Sequence, residues 1–279
     1  MTSSISLTGK RILVTGGARG LGRAFAEAIV GAGATVAVAD ILVEAGRASA
    51  YDLGASFFEL DLARPESIAT CMDQVIEELG GLDGLVNNGA IATAIGGPAM
   101  DEIEIDIWDK VMTVNVRGTW LMSRAAKPHL AEIGNGKIVN LASDTALWGA
   151  PKLLHYVASK GAVISMTRSM ARELGADGIS VNSIAPGLTA VEATEYVPEE
   201  RKRQYTDNRP FTRTQMPEDV TGAILFLMSD ASDFITGQCL PINGGFVMNY
   251  WPEIDNKWWS NTMPDISEFE NLETWQKPE

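Results

Sequence analysis

The chain has 279 residues, 46% of them hydrophobic and 21% charged, so a folded core is expected rather than disorder. Its formal net charge of −14 argues against nonspecific binding to nucleic acid or to an anionic membrane surface. The sequence contains no apolar run of ~20 residues, no signal-peptide pattern and only two distant cysteines, Cys71 and Cys239, which predicts a cytoplasmic protein without a membrane span, disulfide framework or zinc site.

The first 40 residues contain a strand, a glycine-rich turn, a helix and a second strand. RILVT (11–15) is a short apolar run, and RAFAEAIVGAG (23–33) has helical spacing. TVAVAD (35–40) is a second apolar run that ends in an acid. A strand, a helix and a strand within ~30 residues constitute a βαβ unit.

The same alternation continues along the chain. Further strands are predicted at 55–61, 84–90, 136–143, 179–187 and 238–244, and helices at 65–79, 106–131, 155–174 and 217–230. Nearly continuous apolar strands are typical of a parallel sheet that is buried on both faces. We therefore predict an α/β fold, a doubly wound Rossmann-type parallel sheet of about seven strands with helices on both faces.

Two segments depart from this alternation. Residues 188–216 form a long polar connection of low periodicity, which in a compact domain is usually a lid or a binding loop and can contain short helices. Residues 250–279 are acidic and hold Trp251, Trp258, Trp259 and Trp275. We predict a single domain over 1–249 and a carboxyl-terminal extension over 250–279.

The glycine cluster TGGARGLG (15–22) lies between the first strand and the first helix. Glycines there allow a sharp turn and a close approach to a phosphate, and the amino terminus of the helix offers free N–H groups. Tight turns need glycine too, so the placement matters more than the composition. No Lys-Ser/Thr pair follows, and a nucleoside triphosphate site is therefore not expected.

Asp40 ends the second strand, 18 residues after Gly22. A carboxylate at this position can accept hydrogen bonds from both ribose hydroxyls of an adenosine and would repel a 2′-phosphate. The alternative is a strand-end acid that faces solvent. Arg19 argues for the 2′-phosphate, but an arginine can swing into solvent whereas a carboxylate beside a phosphate has no easy escape. The pattern favours NAD.

HYVASKGAV (155–163) places Tyr156 and Lys160 four residues apart. On a helix, that spacing puts a phenol and an ammonium on one face, about one turn apart. One interpretation is a tyrosine whose proton is meant to leave; the other is an ordinary polar helix face.

In this order, the motifs resemble the short-chain dehydrogenase/reductase family, over residues 7–248. The glycine cluster matches the family's T-G-x-x-x-G-x-G, and NNGA (87–90) matches its N-N-A-G with the last two residues exchanged. VNVRG (114–118) contains the family's helix asparagine as Asn115, and NLAS (140–143) contains its serine as Ser143. YVASK (156–160) matches Y-x-x-x-K, and APG (185–187) matches the P-G turn.

The resemblance implies a mechanism. Tyr156 would be the general acid/base, with its pKa lowered from about 10 by Lys160 and by an oxidised nicotinamide. Ser143 would donate a hydrogen bond to the substrate oxygen. Asn115 would hold a helix locally open and bind a water that links Lys160 to solvent. Taken singly, Ser143 is also compatible with a strand-end cap, Asn115 with a satisfied buried amide and Lys160 with a solvated charge.

The resemblance also implies which residues hold the cofactor. The predicted set is Gly16, Arg19, Gly20, Leu21, Gly22, Asp40, Asp61, Leu62, Asn88, Gly89, Ala90, Tyr156, Lys160, Pro186, Gly187, Leu188 and Thr189. Both exchanged residues, Gly89 and Ala90, are small, so binding is expected to survive the exchange. Val191 occupies a position where the family often has threonine, so Thr189 or backbone groups would hold the nicotinamide amide instead.

The expected activity is an NAD-dependent transfer of hydride between a secondary alcohol and nicotinamide, without a metal. The substrate-side residues are predicted to be Ile95, Leu147, Trp148, Val191 and Tyr196, which suggest an apolar alicyclic or aromatic ring, although a sugar can also stack on tryptophan. The alternatives are an NADPH-linked ketone reductase and a non-catalytic nucleotide-sensing protein on the same fold.

The family's common assembly is a homotetramer, so the resemblance implies a homotetramer or a dimer. It also implies that the extension packs at a subunit interface, with at least one of Trp251, Trp258 and Trp259 near a substrate pocket. The alternative is a tail that stays on its own subunit or is disordered.

Overall fold

A seven-stranded sheet forms the centre of the computed structural model, which describes residues 5–92 and 95–248. All strand pairs are parallel and the order is β3-β2-β1-β4-β5-β6-β7. The strands are β1 Arg11–Thr15, β2 Thr35–Asp40, β3 Ser56–Glu59, β4 Gly84–Asn87, β5 Gly136–Leu141, β6 Ile179–Pro186 and β7 Cys239–Ile242. Each predicted strand is present, and the predicted doubly wound fold is confirmed.

Helices cover both faces of the sheet. They are α1 Gly20–Gly31, α2 Val43–Leu53, α3 Pro65–Leu79, α4 Ile105–Met112, α5 Thr119–Ile133, the short α6 Thr145–Trp148, α7 Leu154–Leu174, α8 Glu199–Asp207 and α9 Glu218–Met228. Side chains alternate across each strand. Leu13 therefore faces one core layer, with α3 and α5, while Ile12 and Val14 face the other, with α1 and α9.

The strand order reverses at β1, which pairs with β2 on one side and with β4 on the other. In an open parallel sheet, this reversal opens a crevice at the carboxyl ends of the strands, where ligands bind. The chain places Thr15, Asp40 and Asn87 at those ends. The fold thus assembles the predicted residues of distant segments at one edge.

The predicted helix 106–131 is wrong in one respect, because the structure divides it. A π-helical turn, Thr113–Gly118, separates α4 from α5. The Thr119 hydroxyl donates to the Asn115 carbonyl oxygen (2.8 Å), which satisfies part of the backbone that the wider turn leaves open. Because a π turn adds one residue without changing the apolar composition, the sequence pattern reads as one long helix.

The helix α2 and the short helix α6 were not predicted. The buried face of α2 consists of Gly46, Ser49 and Ala50, so its apolar periodicity is weak. No helix within the described parts of the chain is long and apolar enough to cross a membrane. The predicted extension 250–279 lies outside the described residues, as do Trp251, Trp258 and Trp259.

Candidate active site

A cavity of about 850 Å³ lies at the carboxyl ends of the strands. Its walls include most of the predicted site residues: Gly16, Arg19, Gly20, Leu21, Gly22, Asp40, Asp61, Leu62, Asn88, Gly89, Ala90, Ile95, Ser143, Tyr156, Lys160, Pro186, Gly187, Thr189 and Val191. The predicted cofactor end and the predicted catalytic end therefore share one space.

The glycine-rich turn is tightly packed. Gly16 has a φ of 66°, and a Cβ there would lie 2.6 Å from the Gly89 Cα. A Cβ on Gly22 would lie closer than 3.0 Å to the Gly16 carbonyl oxygen. The Asn88 Nδ2 donates to the carbonyl oxygens of Thr15 (3.0 Å) and Gly16 (2.9 Å), which holds the turn against the end of β4.

We expect Gly22→Ala to destabilise the fold by roughly 1–3 kcal/mol, the usual range for overpacking, and to weaken dinucleotide binding. The added methyl would collide with backbone, which cannot move aside as a flexible side chain can. Gly31→Ala is the matched control, because Gly31 ends the same helix and a methyl group there would meet no atom within 4 Å. Urea unfolding and titration with NAD measure both effects. Equal stability and affinity for the two variants would contradict the prediction.

Asp40 is buried at the end of β2 and is held by two backbone groups. Its Oδ2 accepts from the Ala18 N–H (3.0 Å), and its Oδ1 accepts from the Leu42 N–H (3.0 Å). These bonds fix the carboxylate beside the glycine turn, in the cavity wall. Arg19 lies in the same wall, so both residues that were predicted to act on the cofactor's ribose lie at this end of the cavity.

Tyr156 and Lys160 lie on α7 and meet as their spacing predicts. The Lys160 Nζ lies 5.7 Å from the centre of the Tyr156 ring and donates to the Leu141 carbonyl oxygen (2.6 Å). Burial raises the pKa of Tyr156 to about 12, although Ser143 acts to lower it. Burial lowers the pKa of Lys160 to about 8. In the protein alone, the phenol is therefore protonated at neutral pH.

Ser143 follows β5 and is oriented by a residue that the sequence analysis did not identify. The Thr145 hydroxyl donates to the Ser143 Oγ (2.9 Å), and the Thr145 N–H approaches the same oxygen (3.3 Å). Because the Ser143 oxygen accepts from Thr145, the Ser143 O–H remains available to donate a hydrogen bond to another group. A hydroxyl residue two positions after a strand-end serine is the signal that could have indicated this, since such residues often bond locally.

Asn115 does not line the cavity. It lies in the π turn, where its Oδ1 accepts from the Ile91 N–H (2.7 Å) and its Nδ2 donates to the Ile91 carbonyl oxygen (3.1 Å) and to the Ser159 Oγ (3.1 Å). These bonds join the loop after β4 to α7. A water-mediated link from Asn115 to Lys160 stays a prediction.

The structure places four other predicted residues outside the cavity. Leu147 is partly exposed, Trp148 packs against Tyr205 and Phe246, and Tyr196 donates to the Ala92 carbonyl oxygen (2.9 Å). Leu188 lines a neighbouring cavity of about 830 Å³ beside α1. Membership of a loop does not determine where a side chain points. The apolar wall is instead completed by Ile91, Ala92, Ile107, Val111 and Val114.

The fold is of the Rossmann type, with its cavity at the carboxyl ends of the strands. A family model described as "Enoyl-(Acyl carrier protein) reductase" matches residues 16–247. The chain is 40% identical to sorbitol dehydrogenase from Cereibacter sphaeroides, over 86% of this chain and 98% of that protein. It is 38% identical to 2,5-dichloro-2,5-cyclohexadiene-1,4-diol dehydrogenase from Sphingobium indicum, with the same coverage.

Solved structures agree with these relatives. The 3-ketoacyl-(acyl-carrier-protein) reductase from Brucella melitensis, complexed with NADH, has a TM-score of 0.83 and 29% identity, covering 87% of this chain and 100% of that one. The chain belongs to the short-chain dehydrogenase/reductase family. It is accordingly an oxidoreductase that acts on CH–OH groups with a nicotinamide cofactor.

Proposed function

We propose that this protein is an NAD-dependent dehydrogenase that oxidises a secondary alcohol on an apolar ring, alicyclic or aromatic, with Tyr156 as the general acid/base. The observation that carries the proposal is the joining of Asp40, Ser143, Tyr156 and Lys160 in one cavity. The apolar wall of Ile91, Ile107 and its neighbours supports an apolar substrate, as does the cyclohexadiene-diol named for one relative.

The residues present fit a dinucleotide. The glycine turn leaves no room for a methyl group at Gly16 or Gly22, as expected for the tight turn and the close packing of a dinucleotide-binding turn. Asp40 is held at the end of β2 by two backbone N–H groups, and a carboxylate there would accept from the ribose hydroxyls. When bound, the oxidised nicotinamide would supply the hydride acceptor and a positive charge.

The chain's own residues would then manage the proton. Ser143, whose oxygen accepts from Thr145, has its O–H free to donate to the substrate oxygen and would orient it beside Tyr156. Tyr156, in its phenolate form, would take the proton of the alcohol hydroxyl. Lys160 is a cation close to its ring, and its charge favours the phenolate. In the reverse direction, the same phenol would return the proton to a ketone.

The first test is a panel of diverse secondary alcohols with NAD, followed by nicotinamide absorbance. Turnover of cyclic apolar alcohols well above that of polyols would support the proposal. A preference for polyols would contradict the apolar ring, and no reduction of NAD with any alcohol would contradict the activity.

We expect kcat/KM to favour NAD over NADP by more than tenfold, that is, by more than ~1.4 kcal/mol. The Asp40 carboxylate would repel the 2′-phosphate. Asp40→Ser should narrow the preference, because it removes the repulsion and leaves Arg19 in the wall. Asp101→Ser, which removes an exposed acid, is the control for the change in net charge.

The second candidate is an NADPH-linked ketone reductase, which the presence of Arg19 in the same wall favours. A wild-type preference for NADP would support that candidate. It would contradict the assignment of Asp40.

A further inference from the structure

The helix α8 is held to the rest of the protein in an unusual way. It belongs to the connection 188–216, which we call the lid, and its sequence is EERKRQYTD. Within this strongly polar helix, Tyr205 alone is buried, with 4% of its surface exposed. A surface helix usually docks through an apolar stripe, but α8 offers this one buried side chain. At its surface, Arg201 adds a guanidinium 5.9 Å from the centre of the Trp148 ring.

The ring of Tyr205 enters an aromatic cluster below the lid. It stacks on Phe246, with ring centres 4.4 Å apart, and meets the edge of Trp148 at 6.3 Å. Trp148 ends the short helix α6, which begins two residues after Ser143. The lid therefore rests on the segment that carries the predicted catalytic serine.

The Tyr205 hydroxyl reaches Asp144, the residue immediately after Ser143. It donates to the Asp144 Oδ1 at 3.3 Å, which is long for an O–H···O bond. Asp144 is 1% exposed, and its backbone N–H donates to the Pro186 carbonyl oxygen (3.1 Å). Asp144 thus contacts the lid through its side chain and the end of β6 through its backbone.

A second group of the lid faces the same acid. Arg209 is buried just after α8, and its positive charge acts on Asp144. The Arg209 Nε donates to the Phe211 carbonyl oxygen (2.8 Å), and one terminal nitrogen donates to the Arg213 carbonyl oxygen. Among the residues described, the Asp144 Oδ2 and the Arg209 Nη1 are buried without hydrogen bonds.

We propose that Asp144 is a positioning residue. Its hydrogen bond with Tyr205, which we call the latch, holds the lid against the turn that carries Ser143. The latch couples lid closure to the placement of the serine, and its kinetic meaning rests on the proposed dehydrogenase function. Because α8 has no other buried side chain, loss of the latch raises the population in which the lid is open. A substrate that binds only the closed form then binds more weakly by the same factor.

The test uses the full chain with Tyr205→Phe, Asp144→Ala and the double variant. Tyr205→Phe keeps the aromatic stack and removes only the hydroxyl. Tyr51→Phe, at an exposed residue of α2, and Asp207→Ala, at an exposed residue of α8, are the matched controls. Unfolding temperatures of all variants show whether the fold is retained.

Limited digestion with trypsin measures lid opening without any substrate. Cleavage within α8, at Arg201, Lys202 or Arg203, requires the helix to detach from the rest of the protein and unwind. We expect it to be about fivefold faster in Tyr205→Phe and Asp144→Ala, the change that corresponds to ~1 kcal/mol for one hydrogen bond. The double variant should be cut no faster than the faster single variant, because both remove the same contact. A cleavage rate in Tyr205→Phe equal to that of the wild type would overturn the latch. So would a double variant whose rate increase is the product of the increases in the two single variants.

Steady-state kinetics form the second arm. We expect the KM for the alcohol to rise about fivefold in Tyr205→Phe, with a smaller change in kcat and unchanged affinity for NAD. Active variants whose alcohol KM equals that of the wild type would overturn the coupling to the site. A protein that oxidises none of the alcohols but shows coupled trypsin cleavage would retain the latch and overturn the proposed function.

Discussion

Replacing Tyr156 with phenylalanine is expected to lower turnover at least ~100-fold, the scale of general acid/base catalysis, while NAD binding stays nearly unchanged. The substitution removes the oxygen that, as a phenolate, would accept the alcohol proton, and it keeps the ring in the cavity wall. Without that oxygen, the proton has no acceptor at this position. The Lys160 Nζ already donates to the Leu141 carbonyl oxygen, and an ammonium has no lone pair with which to accept the proton instead.

The size of the effect also depends on the pKa of Tyr156. Burial raises its pKa to about 12 in the protein alone. Tyr156 can therefore act as a base at neutral pH only if the positive charges of Lys160 and of an oxidised nicotinamide together lower its pKa. This arrangement makes the proton transfer depend on a bound cofactor, which links the two ends of the cavity.

Turnover and NAD affinity are measured separately, by nicotinamide absorbance and by titration of the purified variant. Tyr51→Phe is the control, because its side chain is 88% exposed on α2. Near-normal turnover in Tyr156→Phe would contradict the assignment. A variant that loses NAD binding would show that the hydroxyl serves the cofactor rather than the proton.

The strands were predictable because their apolar runs are short, buried and separated by polar turns. The helix α2 was not, since its buried face consists of Gly46, Ser49 and Ala50 and carries little apolar signal. The π-helical turn between α4 and α5 was not predictable from the sequence either. Its wider ring depends on the Asn115 side chain bonding the Ile91 backbone 24 residues away, and no local spacing records such a contact.

The predicted site residues divide in the same way. Tyr156 and Lys160 meet because helix geometry alone brings them together. Trp148 and Tyr196 were assigned to the substrate from their loops, but the tertiary contacts of a loop decide where its side chains point. Asp144 was overlooked because its partner Tyr205 is 61 residues away.

The last prediction concerns how Asp144 ties stability to pH. Burial raises the pKa of its carboxyl from 3.8 to about 7, against the lowering effects of Tyr205, Asn243 and Arg209. In the folded state this acid therefore keeps its proton over a pH range in which the unfolded chain has lost it. The stabilising contribution of the protonated form is complete below the unfolded pKa and declines as pH rises toward about 7.

The expected result is a difference between two pH profiles. Relative to Asp144→Asn, which cannot ionise, the wild type should lose up to ~1.4 kcal/mol of unfolding free energy per pH unit between the two pKa values. From about pH 5.5 to 8 the loss amounts to roughly 2 kcal/mol, and it flattens above about pH 8. Other acids and histidines titrate in both proteins, so their contributions cancel in the difference.

Urea unfolding at about pH 5.5, 6.5, 7.5 and 8.5 covers the decline and avoids the region near the sequence pI of about 4.6. Asp207→Asn is the control, because this exposed acid on α8 should give a flat difference from the wild type. Arg209 sharpens the interpretation. Its attraction to Asp144 exists only when the carboxyl is ionised, so it is already included in the pKa of about 7 and contributes to the slope of the difference. The pH-independent contacts that Asp144→Asn changes shift its whole profile by a constant. A flat difference between the wild type and Asp144→Asn over this range would place the carboxyl in an environment where Arg209 and Tyr205 outweigh burial.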